Sequence, residues 1–237
     1  MFRFFYSFLA HQVGLDARKF ILFPGRFFFF VIDVFKFITA YKNVDLRFSP
    51  CIHDKGCIST IDKEYFPQDL FVAQKIFERN PLDHSDVGSR LDGFVAHLAS
   101  FRQLDVFDIR PLGADIKNIN FNQLDITDTR AVEKLGSVRT SVSCLHVVEH
   151  FGLGRYGDDI DPRGLECGVN NLLRLLAPGG TLYLSTPIGT PVIRFNSHRV
   201  TSHFDLQRLI TIASGIMSEI YVLNEWSFNT LCKIKEL

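Results

Sequence analysis

From about residue 82 the chain repeats one pattern: a short apolar run, then a stretch with helical spacing. The runs are PLDHSDV (81–87), DVFDI (105–109), NINFN (118–122), SVSCL (141–145) and TLYLSTP (181–187). Between them lie RLDGFVAHLASF (90–101), TDTRAVEKLG (127–136) and GLECGVNNLLRLLA (164–177). Runs this short are strand-length, and the intervening segments are long enough to cross a sheet and return. Strands joined in this way lie parallel, which confines the chain to a layered α/β fold. After 187 the pattern changes. HFDLQRLITIAS (203–214) reads as a helix, and EIYVLNEW (219–226) and NTLCKIKEL (229–237) read as two strands joined by a short turn. The expected fold is a doubly wound, mostly parallel sheet with an antiparallel edge.

Residues 1–80 stand outside this alternation and are expected to form a Phe-rich, mostly helical extension capping a main domain at 81–237. Thirteen of the 24 phenylalanines fall in the first 48 residues. The run FILFPGRFFFFVIDVFKFITAY (20–41) is interrupted by Arg26, Asp33 and Lys36. It reads as a pair of helices broken at Pro24-Gly25 rather than a membrane span. Such helices pack on the main domain or on a second copy, or lie on a membrane surface. The apolar start at 2–10 is followed by no small-residue cleavage pattern, so a cytoplasmic location, with membrane association as an option, is expected. With 26 basic and 26 acidic residues there is no broad basic surface for nucleic acid. Five cysteines, an odd count without framework spacing, suggest a reducing compartment. In CIHDKGC (51–57), Cys51, His53 and Cys57 lack an evident fourth ligand, and no metal is assigned.

The first run ends in DVGSRLDG (86–93). Gly88 allows a sharp turn with close backbone approach to a ligand, and Ser89 and Arg90 offer N–H donors at the start of the next helix. Arg90 stands where a dinucleotide fingerprint needs glycine, and no GK[ST] follows, which argues against a nicotinamide cofactor or ATP. Asp108 closes the second run, 20 residues after Gly88. At a neighbouring strand tip, that carboxylate can accept from both hydroxyls of an adenosine ribose. In QLDIT (123–127), Asp125 either accepts from the adenine amine, with Leu124 and Ile126 beside the ring, or caps the helix starting near 128.

These pieces resemble the class I S-adenosylmethionine-dependent methyltransferases. The matching segments are DVGS (86–89), Asp108, Leu124-Asp125, SCLHVVEH (143–150) and LLRLLAPGGTLYLSTP (172–187). In the last, a helix ends in L-x-P-G-G and leads directly into the fifth strand. The resemblance covers about 82–237 and implies a Rossmann-like sheet of seven strands with the last one antiparallel. It implies S-adenosyl-L-methionine as cofactor, held by Asp86, Gly88, Ser89, Arg90, Asp108, Ile109, Leu124, Asp125 and His146. The family usually has a second glycine at the position of Arg90, whose side chain would crowd the methionine end or contact its carboxylate. More narrowly, DVGSRLDGF, FDIRPL and LHVVEHFGLGRYGD look like a bacterial group of methyltransferase-like proteins linked to surface-polysaccharide biosynthesis.

Methyl transfer needs an aligned nucleophile and often a base. His146, Glu149 and His150 follow the fourth strand. His150 is the expected base, because its ordinary pKa lies near neutrality. Glu149 is expected to orient a histidine or touch the cofactor. The loop FGLGRYGDDIDP (151–162) shapes a substrate pocket, with Tyr156 as a contact. Asp158, Asp159 and Asp161 read as a solvated acidic loop rather than a metal site. His198 and Arg199, after the fifth strand, face the same end, and Arg199 suits a phosphate or carboxylate on the acceptor. Tyr65 and Asp69 in YFPQD are placed to fold over the cofactor as a lid. The expected activity is O-methylation of a sugar or other small polar acceptor. Two alternatives are a non-catalytic scaffold binding a partner through the Phe-rich N-terminus, and a nicotinamide-dependent sugar oxidoreductase or epimerase. The latter needs a glycine-rich fingerprint and a Tyr-x-x-x-Lys pair, neither of which occurs.

Overall fold

A computed structural model describes residues 17–40, 62, 65–136, 139–213, 216, 219–224 and 227–233. The candidate zinc ligands Cys51, His53 and Cys57, and the apolar start at 2–10, lie outside the described residues. The chain divides into two units, Met1–Ile61 and Asp62–Leu237.

In the first unit, α1 (Ala17–Ala40) is one continuous helix with Pro24 inside it, not two helices broken at Pro24-Gly25. Pro24 removes one N–H donor and crowds the carbonyl of Phe20, yet the helix continues on both sides of it. Its phenylalanines project outward; Phe20, Phe28, Phe29 and Phe35 are each at least 60% exposed. Among the described residues no helix is long and apolar enough to cross a membrane.

The second unit carries a five-stranded, wholly parallel sheet. Its strands are β1 (Ser85–Val87), β2 (Leu104–Asp108), β3 (Ile119–Gln123), β4 (Arg139–Leu145) and β5 (Leu176–Ser185), in the order β3-β2-β1-β4-β5. The chain starts at the centre, winds out through β2 and β3, then returns to the other side of β1 for β4 and β5. The switch of direction between β1 and β4 opens a crevice at their carboxyl ends.

Side-chain alternation divides the core between two faces. In β2, Leu104 and Val106 join Phe94, Val95 and Leu98, together with Ala73 and Ile76 of α2 (Tyr65–Arg79). Phe107, the residue after Val106, points the other way, into a core with Val87, Val142, Cys144, Val169 and Leu172. Helices α4 (Thr129–Leu135), α5 (Gly164–Arg174) and α6 (His203–Ile212) cover that second face. The first is covered by α2, a π-helical turn (Leu91–Val95) and the short α3 (Ala96–Ala99). Helix α2, grouped by sequence with the extension, thus packs in the second unit.

Two antiparallel ribbons complete the described structure. One, β6 (Val192–Arg194) with β7 (His198–Val200), was not among the strands expected from the sequence. The other pairs β8 (Glu219–Asn224) with β9 (Ser227–Lys233), antiparallel as expected. Neither ribbon is hydrogen-bonded to the five-stranded sheet, so a single seven-stranded sheet is not formed among the described residues. Tyr221 of β8 packs edge-on to Phe71, and Glu219 reaches Arg79, both on α2.

Candidate functional site

The carboxyl ends of β1, β2 and β4 frame a cleft of about 540 Å³, within the size range of small-molecule sites. Of the residues singled out from sequence, Gly88, Ser89, Arg90, Asp108, Ile109, Leu124, Asp125, His146, His150 and Tyr156 line it. Tyr65, Arg110 and Arg155 line it as well. Asp86, Glu149, His198, Arg199 and Asp69 are not among its lining residues.

The turn after β1 is held from below by a buried polar relay. Asp86 is fully buried and accepts from Ser89 N (3.0 Å), Ser89 Oγ (2.7 Å) and Ser143 Oγ (2.6 Å). Ser143 Oγ also lies 3.0 Å from His84 Nε2, and Ser141 Oγ lies 2.8 Å from His84 Nδ1. The Ser143 hydroxyl has one proton, which goes to Asp86, so His84 Nε2–H donates to Ser143 and Nδ1 accepts from Ser141. Burial pushes the Asp86 carboxyl up to about 6 and the His84 imidazole down to about 3. The Ser89 hydroxyl, which also accepts from Leu145 N (3.1 Å), ties β1 to β4. Asp86 is therefore spent on shaping the turn, with no carboxylate edge in the cleft.

Gly88 has φ +70°, and a Cβ there would sit 2.8 Å from Val147 Cγ1. Both facts exclude a side chain. Arg90 does not need to be glycine, because its backbone is extended (φ −65°, ψ 124°). Its side chain stays on the cleft wall, with Nε 3.3 Å from Asp92 and the guanidinium over the Tyr65 ring.

At the tip of β2, Arg110 folds back onto Asp108. Its Nε and Nη2 lie 2.9 and 2.6 Å from the two carboxylate oxygens, and its N–H donates to Oδ1 at 2.8 Å. A carboxylate offers about four lone-pair positions, so three are taken. Arg110 is half exposed, while the Asp108 side chain is only 12% exposed. A ribose diol would compete with Arg110 for this carboxylate. Asp125 accepts from Thr127 N (2.8 Å) and Thr127 Oγ1 (2.7 Å), both on Oδ1, and its Oδ2 has no partner among the described residues. The cap of α4 is Asp128, not Asp125. The edge of an adenine amine thus has an available acceptor, with Ile109 and Leu124 as apolar neighbours.

The other end of the cleft gathers His146, Glu149 and His150. His146 adopts a left-handed backbone (φ +54°), fastened by its N–H to Ser185 O and Oγ. That strain throws its ring against Tyr65 (centroids 4.8 Å apart), with Nδ1 3.2 Å from Glu149 Oε1. Glu149 is buried, and its Oε2 has no partner among the described residues. Burial and the Glu149 charge push the Tyr65 hydroxyl up, which keeps it a donor. His150 Nδ1 lies 2.5 Å from Ser197 O. A carbonyl only accepts, so Nδ1 carries the proton and Nε2 keeps its lone pair. Burial pushes the His150 imidazole down, which keeps it neutral near pH 7.

The remaining expectations are placed differently. Arg199 is buried and donates to Phe151 O, holding the start of the 151–162 loop instead of facing a ligand. His198 sits beside Ser197 Oγ at 2.9 Å. Asp69 is buried under Gly93, whose added Cβ would meet Asp69 Oδ2 at 2.6 Å. Asp158 takes the N–H groups of Leu153, Gly154 and Tyr156 at 3.1 Å each, and Asp161 that of Arg163. Among the described residues no cluster of His, Cys, Asp and Glu is arranged to hold a metal ion. Sequence reasoning missed Arg110 and Arg155. The only signal for Arg110 was its place two residues after Asp108.

A family model described as "Caenorhabditis protein of unknown function, DUF268" matches residues 106–217. No curated protein matches the sequence. Several solved structures are similar in fold. One is 1,6-didemethyltoxoflavin-N1-methyltransferase of Burkholderia thailandensis, with bound 1,6-didemethyltoxoflavin and S-adenosylhomocysteine. It is 12% identical, with a TM-score of 0.48 over 68% of this chain and 72% of that one. Another is an S-adenosylmethionine-dependent methyltransferase of Clostridium acetobutylicum, 12% identical, TM-score 0.45, covering 75% and 88%. A third is the sugar N-methyltransferase KedS8 of Streptoalloteichus, 21% identical, TM-score 0.37, covering 55% and 54%.

Proposed function

We propose that this chain is an S-adenosylmethionine-dependent methyltransferase acting on an oxygen of a sugar or similar small polar acceptor. The observation that carries the reading is the pairing of the Gly88 turn with Asp108 at the adjacent strand tip, across one cleft from a neutral His150. The residues present fit the cofactor. Gly88, Ser89 and Arg90 would take its amino-acid end, Asp108 the ribose, and Ile109, Leu124 and Asp125 the adenine. Bound there, the cofactor supplies an electrophilic methyl group on a sulfonium. The chain's own residues then have separate tasks. His150 Nε2 takes the proton of the acceptor hydroxyl. Glu149, 3.9 Å from that nitrogen, offsets the charge that forms. Tyr65 and His146 close one wall and exclude water.

A sugar acceptor and a role in glycan assembly rest on the narrow sequence resemblance. The exposed phenylalanines of α1 support a docking role for the first unit, on a membrane surface or a second copy. The scaffold alternative, a partner bound through the Phe-rich N-terminus, predicts a folded chain that binds no cofactor.

Calorimetric titration with S-adenosylhomocysteine tests the reading. Micromolar binding by the full chain, weakened at least about tenfold in Asp108→Ala, is the expected result. A folded wild-type chain that binds neither S-adenosylhomocysteine nor S-adenosylmethionine would overturn it.

A further inference from the structure

Beside His150 the cleft gathers Tyr156, Arg155 and Arg110, the last already paired with Asp108. Both guanidiniums lie over the Tyr156 ring, with Arg110 Cζ 4.6 Å and Arg155 Cζ 5.0 Å from its centroid. The ring meets His150 edge-on at 5.4 Å. Arg155 spends only one nitrogen on the protein. Its Nη1 lies 3.2 Å from Ser197 O and 3.3 and 3.4 Å from the His150 ring nitrogens. No carboxylate pairs with Arg155 among the described residues, and its Nε and Nη2 have no partner there. Arg110 gives Asp108 its Nε and Nη2 edge, which leaves Nη1 without a hydrogen-bond partner among the described residues. The one acid of the same loop in the cleft, Asp158, is occupied by three backbone N–H groups.

From this arrangement we infer that Arg110 and Arg155, held on Tyr156, form a clamp for an oxyanion carried by the acceptor, a phosphate or carboxylate group. The inference rests on the methyltransferase reading for the word acceptor, but the anion site itself does not depend on it. A guanidinium stays charged at every physiological pH and meets planar or tetrahedral oxyanions with paired N–H donors. Contact with one aromatic ring restricts both guanidiniums in advance, so less freedom is lost on binding. Arg155 also touches His150. An anion seated on the clamp therefore brings the rest of its molecule to the imidazole assigned as base. Arg199, the arginine that the sequence pattern offered for this task, is buried on the Phe151 carbonyl.

Calorimetry on the full chain separates the two ideas. Glucose 1-phosphate, glucuronate, inorganic pyrophosphate and neutral glucose are titrated with and without saturating S-adenosylhomocysteine. The clamp predicts binding of the charged probes and at least tenfold weaker binding of glucose, with affinity falling as salt rises. Arg155→Gln and Arg110→Gln each weaken the charged probes about tenfold or more and leave glucose unchanged. A preference for glucose 1-phosphate identifies a phosphate acceptor, and a preference for glucuronate a carboxylate one. Equal binding of charged and neutral sugars, or charged probes bound undiminished by both variants, overturns the clamp. Anion binding that depends on Arg155 in a chain that ignores S-adenosylhomocysteine keeps the clamp and overturns the methyltransferase reading. Thermal midpoints of the folded variants within a few degrees of wild type show that a lost signal comes from the site.

Discussion

Gly88→Ala puts a single methyl group where the structure forbids it twice. The φ of +70° costs a non-glycine residue about 1–2 kcal/mol. The new Cβ would also stand 2.8 Å from Val147 Cγ1. Val147 is β-branched with few rotamers open to it, and it is packed against the core of the second unit. Forcing such a contact costs about 1–3 kcal/mol. The two costs together predict a loss of about 2–5 kcal/mol, measured by urea unfolding of the full chain. The steric share can be isolated. In Gly88→Ala/Val147→Ala the clash is gone while the backbone cost and the Val147 truncation remain, so the double variant should be less destabilised than the sum of the singles by the steric share, about 1–3 kcal/mol. The backbone share persists, and S-adenosylhomocysteine binding stays weak even when stability returns, because the turn cannot regain its shape. Additivity of the two changes within about 0.5 kcal/mol, or a Gly88→Ala chain as stable as wild type, would refute the account of why glycine occupies this turn.

The buried relay under the turn sets an unusual pH profile. His84 is lowered from 6.5 to about 3 on folding, so acid favours the unfolded chain below pH 6.5, by about 5 kcal/mol in all. Asp86 is raised from 3.8 to about 6, so the same fall in pH restores about 3 kcal/mol between pH 6 and 4. The opposed slopes predict nearly level stability from this pair between pH 6 and 4, then a decline toward pH 3. In His84→Gln, urea midpoints should rise as pH falls from 6 to 4; a fall in that variant would contradict the assigned environment of Asp86. At the acceptor end, His150→Gln should lower turnover about 100-fold or more while S-adenosylhomocysteine affinity stays unchanged. Wild-type activity should fall only as the pH drops through the lowered pKa of His150, below 6.5, and the variant should lose that limb. Retention of full turnover by His150→Gln would remove it as the base.

Much of the framework was legible before any coordinates. The strand-and-helix alternation is written in the spacing of apolar residues, because a half-buried element must repeat its hydrophobic side with its own period. That alternation located all five parallel strands to within a few residues. Glycine at 88 and an acid 20 residues later also read correctly as neighbours at the strand tips, since parallel strands joined by one crossover end side by side.

What the sequence left open was direction. Arg155 and Arg199 both lie in polar segments after strands, and nothing local says which turns inward. The β6–β7 ribbon decides it, carrying Arg199 onto the Phe151 carbonyl and bringing Ser197 O to His150. The same holds for Asp86 and Asp108, two strand-end aspartates alike in sequence. One is sealed beneath Ser89 and Ser143, and the other lines the cleft. Composition and spacing determined that this chain builds a parallel sheet with a crevice at its switch point. Which charges face that crevice was decided by tertiary packing, because burial and pairing depend on residues brought in from more than 40 positions away.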